Sequence, residues 1–183
     1  MTMRATPNPF LRNAILFGLT AIAVYLVMLN ATLATITDMT GLAAFDMRPG
    51  GYGAAEAHEL LTALGETGRR YYLTRQIPLD LAYPALLALT LISITRIPYG
   101  HGPLPKTGKI AVATSIGFAL ADYLENLGIA ALLWQGPGIS DNLVLATSTA
   151  TVTKAALTSI AIPCALLVVI RAGYQARFRS GSA

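Results

Sequence analysis

Asp122, Glu125 and Asn126 stand close together in a largely apolar run, KIAVATSIGFALADYLENLGIAALLWQ, residues 109 to 135. At about 100° per residue, positions i, i+3 and i+4 fall on one helix face. An ionisable group inside an apolar helix of membrane-spanning length costs roughly 2.5 to 3.5 kcal/mol on insertion scales, so these groups are expected to face protein or water and to have partners. Two more ionisable groups are embedded in apolar sequence: Asp80, in QIPLDLAYP, and Lys154, in LATSTATVTKAALTS. Tyr83 and Pro84 share the face of Asp80, and Thr147, Thr151, Lys154 and Thr158 follow i, i+4, i+7 and i+11 as one stripe.

Asp80, Asp122 and Glu125 outnumber the single internal lysine. Either Arg69, Arg70 or Arg75 reaches in to neutralise the excess, or at least one carboxyl keeps its proton. Such a site suits proton transfer, or binding of a cation or a polar headgroup. Asp122, Glu125 and Asp80 are the candidate proton carriers. Asn126, Lys154, Tyr83, Thr151 and the three arginines are the candidate ligand contacts, with Arg70 or Arg75 holding any anionic group. The competing reading is a buried ion-pair network of Asp122, Glu125 and Lys154 that fixes how the helices pack. The threonine stripe reads as interhelical hydrogen bonding and close packing rather than a pore.

These groups need helices to position them, and the composition says of what kind. Of 183 residues, 54% are hydrophobic and 12% charged, with a mean hydropathy of +0.57. That is about half the charged fraction of a soluble domain. An integral membrane protein of one domain is expected, all-α, as a four-helix transmembrane bundle. Its spans are expected at about 13–36, 76–97, 109–135 and 143–172. Each is long enough, at about 1.5 Å per residue, to cross a hydrocarbon core of about 30 Å. The first is read as a retained span, because its apolar part exceeds the usual core of a cleaved signal.

Between spans one and two lies the only sizeable polar segment. After the turn at Pro49-Gly50-Gly51, Ala57, Leu60, Leu61 and Leu64 recur at helical spacing opposite Glu56, His58 and Glu59. This predicts an amphipathic helix at about 53–64, lying in the interface or capping the bundle. Pro78 and Pro84 in span two free backbone carbonyls that polar neighbours can satisfy. Pro163 predicts a kink in span four.

Eight basic residues and no acidic one flank the spans on one side: Arg4, Arg12, Arg96, Lys106, Lys109, Arg171, Arg177 and Arg179. The positive-inside rule then puts both termini in the cytoplasm of a cell membrane, a bacterial inner membrane, and the amphipathic helix outside. The same placement of charge argues against nucleic acid, since the basic residues flank spans rather than forming a patch. His58, Glu56 and Glu59 lack the spacing of a metal site. Cys164 stands alone, so no cysteine-based metal site or intramolecular disulfide is available. No cofactor is called for.

LGETGRRYYLTRQIPLDLAYP, residues 64 to 84, and ADYLENLGI, residues 121 to 129, resemble segments of a family of small, largely uncharacterised bacterial four-span membrane proteins. That family supplies no reaction. More loosely, four spans with intramembrane carboxylates are similar to the sterol-isomerase and sigma-2-receptor type of membrane protein, a resemblance that implies an acidic pocket for hydrophobic amines or sterols. No residue role carries over from either. The expected function is therefore a polar pocket in the outer half of the bundle, binding a lipid-like or amphipathic ligand among the membrane lipids. Two alternatives stand beside it: an accessory subunit of a membrane complex, and a small proton- or cation-coupled carrier, as a dimer.

Overall fold

A computed structural model describes residues 8–180, without the side chains of residues 176 and 178–180. Arg4 and the side chain of Arg179, both counted in the charge asymmetry, lie outside the described residues. All the regular structure among the described residues is helical. Four helical stretches are long and apolar enough to cross a membrane: Pro9–Thr40, Ala54–Arg96, Lys106–Gly138 and Asp141–Gln175. The chain is thus a helical bundle with the make-up of a multi-pass membrane protein.

The first stretch begins where Asn8 accepts the Phe10 N–H at 3.0 Å and Pro9 occupies the first turn. Helix α1 (Pro9–Val27) passes through a π-helical turn (Met28–Thr32) into α2 (Leu33–Thr40). It stops at Gly41, whose φ of 69° closes the helix end in the left-handed region. Residues 41–53 then form a loop with one short turn, Phe45–Met47, rather than leaving the bundle. Ala44 and Phe45 are fully buried, and Phe45 packs on the rings of Tyr52 and Tyr72.

Helix α3 (Ala54–Tyr71) opens with Glu56 accepting the Gly53 N–H at 2.8 Å. It carries the expected apolar face, with Ala57, Leu60, Leu61 and Leu64 all buried. The sequence places the end of this helix near Leu64. The structure shows a kink there, at Gly65 with φ 57°, after which the chain stays helical through a second π-helical turn (Tyr72–Gln76) into α4 (Ile77–Arg96). The wide turn falls just before Pro78, which has no N–H to offer the carbonyl four residues earlier.

Helices α5 (Lys106–Gln135) and α6 (Asp141–Ser180) form a closely packed hairpin; α4 touches both, and α1 packs chiefly on α4. Close approach within the hairpin depends on Gly128, where an added Cβ would run into Thr147. The N-terminus of α1 lies at the same end as the turn after α4, since Asn8 donates to the Ile97 carbonyl at 3.0 Å. Arg12, Arg96, Lys106 and Lys109 therefore share one end of the bundle. The loop 41–53 and α3 cap the other.

Two apolar layers bracket the polar residues. One, near the cap, is built from Phe45, Leu60, Tyr72, Ile129 and Leu132 with their neighbours. The other, toward the basic end, is dominated by small residues, Ala88, Ala111, Ala119, Ala161 and Ala165, around Leu91 and Phe118. Larger apolar side chains point outward: Ile15, Leu19, Leu120, Leu124, Leu127 and Ile170 stand exposed around the bundle, the surface a hydrocarbon environment requires.

Candidate functional site

Asp122 precedes the end of α5 by 13 residues and Lys154 follows the start of α6 by 13, so the hairpin brings them to one level. That level is about 20 Å from the hairpin turn. Lys154 Nζ lies 3.7 Å from Asp122 Oδ2 and is in direct contact with Glu125 Oε2. Asn126 donates through Nδ2 to Asp122 Oδ1 at 3.0 Å and to the backbone carbonyl of Asp80 at 3.2 Å. Pro84 explains the second bond. It stands four residues after Asp80 and has no N–H, so the Asp80 carbonyl loses its helical donor and the Asn126 amide replaces it.

The threonine stripe behaves differently from the expected interhelical bonding. Thr147, Thr151 and Thr158 each donate to the carbonyl four residues earlier in their own helix. Thr147 contributes to the helix contact through packing against Gly128 instead. Thr151 is fully buried beside the Glu125–Lys154 pair. Tyr52, from the loop, is buried on the same side, its N–H donating to Ser148 Oγ at 2.8 Å. Burial, and then the Glu125 carboxylate nearby, push the pKa of its hydroxyl up, so it remains a proton-bearing group.

Asp80 belongs to a second cluster. Its carboxyl comes within hydrogen-bonding reach of Asp46, which the buried loop carries inward. Asp46 Oδ2 accepts from the Tyr72 hydroxyl at 2.7 Å and from Gln76 Nε2 at 3.3 Å. Gln76 Oε1 in turn accepts from Thr32 Oγ1, which ties the two π-helical turns together. Asp46 Oδ1 and Asp80 Oδ2 are both buried without a donor. The sequence does not single out Asp46, because nothing in a Gly- and Met-containing loop signals that it folds inward.

A cavity of about 360 Å³ joins the two clusters. Asp46, Asp80, Asp122 and Lys154 form its polar end; Tyr83, Leu87, Phe118 and Ala155 are among its other walls. Tyr25 of α1 stacks on Tyr83 with ring centroids 5.4 Å apart. The exposed lining residues, Tyr25, Met47, Pro49 and Ser159, place the mouth between α1 and α6 at the loop, where those two helices do not pack together.

The structure therefore brings Asp80, Asp122, Lys154 and Tyr83 to one cavity. Glu125, Asn126 and Thr151 sit behind its wall; Lys154 holds Glu125, while Glu125 Oε1 and Asn126 Oδ1 are buried without a donor. Arg69, Arg70 and Arg75 do not reach it. Arg69 donates to the Gly65 carbonyl at 3.1 Å and its guanidinium covers Gly136 at the end of α5. Arg70 and Arg75 lie on α3 and the following turn, away from the cavity wall. The excess acid is consequently not neutralised by these arginines.

Comparison of the chain with protein-family models, with curated proteins and with solved structures found no match. The chemistry of the site is what bears on function.

Proposed function

We propose that this chain is an integral membrane protein whose acidic cavity binds a lipid-like or amphipathic ligand. The observation that carries the reading is Asp80: only 3% exposed, with Oδ2 lacking any donor, it lines a cavity whose remaining wall is largely apolar. A carboxyl held in that way prefers an occupant that brings a hydrogen-bond donor or a positive charge. A pocket of this volume with few polar groups and much apolar wall is the usual form of a small-molecule site. Its mouth between α1 and α6 lies among exposed apolar side chains, so a ligand dissolved in the bilayer would reach it sideways.

In this reading both termini are cytoplasmic, the basic end of the bundle faces the cytoplasm, and the cavity lies in the outer half beneath α3 at the interface. If the bound ligand undergoes proton transfer, Asp80 and Asp122 are the carriers, since Glu125 is held against Lys154. The test is mass spectrometry of small molecules and lipids that copurify with the full chain, compared with Ala155→Phe, which fills the cavity from its wall. An amphiphile enriched with the parent protein and lost from the variant supports the reading. Identical lipid profiles, matching the bulk membrane, sink it.

A further inference from the structure

Asp46 and Asp80 face each other on different elements, yet among the described residues neither has a counter-ion. The basic groups near them are used elsewhere. Arg48, on the same loop, donates to the Ala43 carbonyl at 2.8 Å and lies 3.8 Å from Glu56. Lys154 of α6 is held by Glu125 and Asp122. Tyr72 and Gln76, from the turn before α4, both donate to Asp46 Oδ2 and leave Oδ1 bare. Asp122 of α5 adds only further negative charge, and Tyr83 of α4 and Tyr25 of α1 stack on each other at the cavity wall.

Two ionised carboxylates lining one cavity, without a cation of their own, would repel strongly. Two neutral carboxylic acids would lack the charge that draws both Tyr72 and Gln76 to one Asp46 oxygen. One proton between them satisfies the arrangement: it replaces the repulsion with a hydrogen bond between the two carboxyls.

We propose that Asp46 and Asp80 form a proton-binding site at the edge of the cavity, and that the proton they share latches loop 41–53 over the mouth. The proton comes from bulk water and returns to it, with no other bond made or broken. Asp46 is the one carboxyl of the cavity carried by a loop rather than by a long helix, and the same loop supplies Met47 and Pro49 to the cavity wall. Removing the proton leaves like charges face to face and pushes the loop off α4. The sign is fixed by this geometry: the closed loop binds the proton, so closure is complete at lower pH and is lost as pH rises. The pair stands independently of what the cavity binds; only its control of ligand entry rests on the proposed amphiphile site.

Infrared spectroscopy of the full chain gives the direct test. A protonated-carboxyl carbonyl band should be present at neutral pH and should lose the same component in Asp46→Asn and in Asp80→Asn, since an amide at either position donates to the remaining carboxylate. Loop position is read separately with Ala44→Cys in a Cys164→Ser background, because residue 44 is fully buried in the closed loop. Its labelling by a thiol reagent, corrected for thiolate ionisation, should rise by up to about tenfold per pH unit through the one-proton transition. Adding Asp80→Asn should flatten that dependence and leave residue 44 protected. An infrared spectrum unchanged by both asparagine variants, or labelling equally pH-dependent with and without Asp80→Asn, overturns the proposal. Absence of a copurifying ligand with the band present would instead count against the amphiphile reading alone.

Discussion

The two polar clusters contain the same kind of residue and solve opposite problems. Around Glu125, two carboxylates from one face of α5 meet Lys154 of α6, and Asn126 binds both Asp122 and the carbonyl that Pro84 leaves without a donor. Around Asp80, two carboxyls from different elements meet without a cation among the described residues, and the open side is a cavity. The first arrangement gives its buried carboxylates a counter-ion, although Glu125 Oε1 and Asn126 Oδ1 still lack a donor. The second leaves an unfilled polar position beside empty volume, which is of use to a ligand or a proton and of none to packing. An ion-pair network and an acidic cavity, competing explanations at the level of sequence, are thus neighbours in one molecule and share Asp122 and Lys154, which pair with each other and also line the cavity.

The contrast can be broken most forcefully at Lys154. Lys154→Met takes the bridging cation away from Asp122 and Glu125, and is expected to cost about 3–5 kcal/mol, read as a large fall in thermal stability in detergent. If that variant is as stable as the parent, the first cluster is not structural. Glu125→Gln should cost less, about 1–3 kcal/mol, because Asp122 still faces Lys154. It should leave any copurifying amphiphile in place, and loss of the ligand from a stable Glu125→Gln protein would move Glu125 into the pocket's chemistry.

Asn126→Leu sharpens the boundary between the clusters. It leaves the Asp80 carbonyl without a donor and is expected to cost about 1–2 kcal/mol. Pro84→Ala added to it restores an N–H to α4 and should recover part of that loss; a strictly additive double variant would show that the amide does not stand in for the missing helical bond. The smallest change in stability is expected for Asp80→Asn, below about 1 kcal/mol, since its amide can donate to Asp46 in place of the shared proton. Ligand retention should nevertheless fall in that variant, and an Asp80→Asn protein that is as unstable as Lys154→Met would erase the distinction between the two regions.

Much of the bundle was legible because its signals are local. The four long apolar stretches follow from hydropathy, the α3 face from the spacing of Ala57, Leu60, Leu61 and Leu64, and the shared face of Asp122, Glu125 and Asn126 from the helical repeat. The end of α3 was less legible: Gly65 reads as a stop, but the chain kinks there and resumes, because burial of Gly68 and Tyr72 against the cap favours continuing the helix. The arginines at 69, 70 and 75 looked like partners for the excess acid by proximity in sequence, yet the direction in which each side chain leaves the helix sends them elsewhere.

Sequence alone determined which residues would be costly to bury and on which helix faces they lie, since side-chain chemistry and a repeat of about 3.6 residues are properties of the chain itself. Tertiary structure alone decided that Glu125 and Asp122 receive the lysine and that Asp80 and Asp122 face a cavity. It also brought Asp46, 34 positions before Asp80 in the chain, to that carboxyl. The reason is that pairing is a matter of distance between helices and loops that do not neighbour one another in sequence, and an inward-folding loop leaves no periodicity from which its depth could be read.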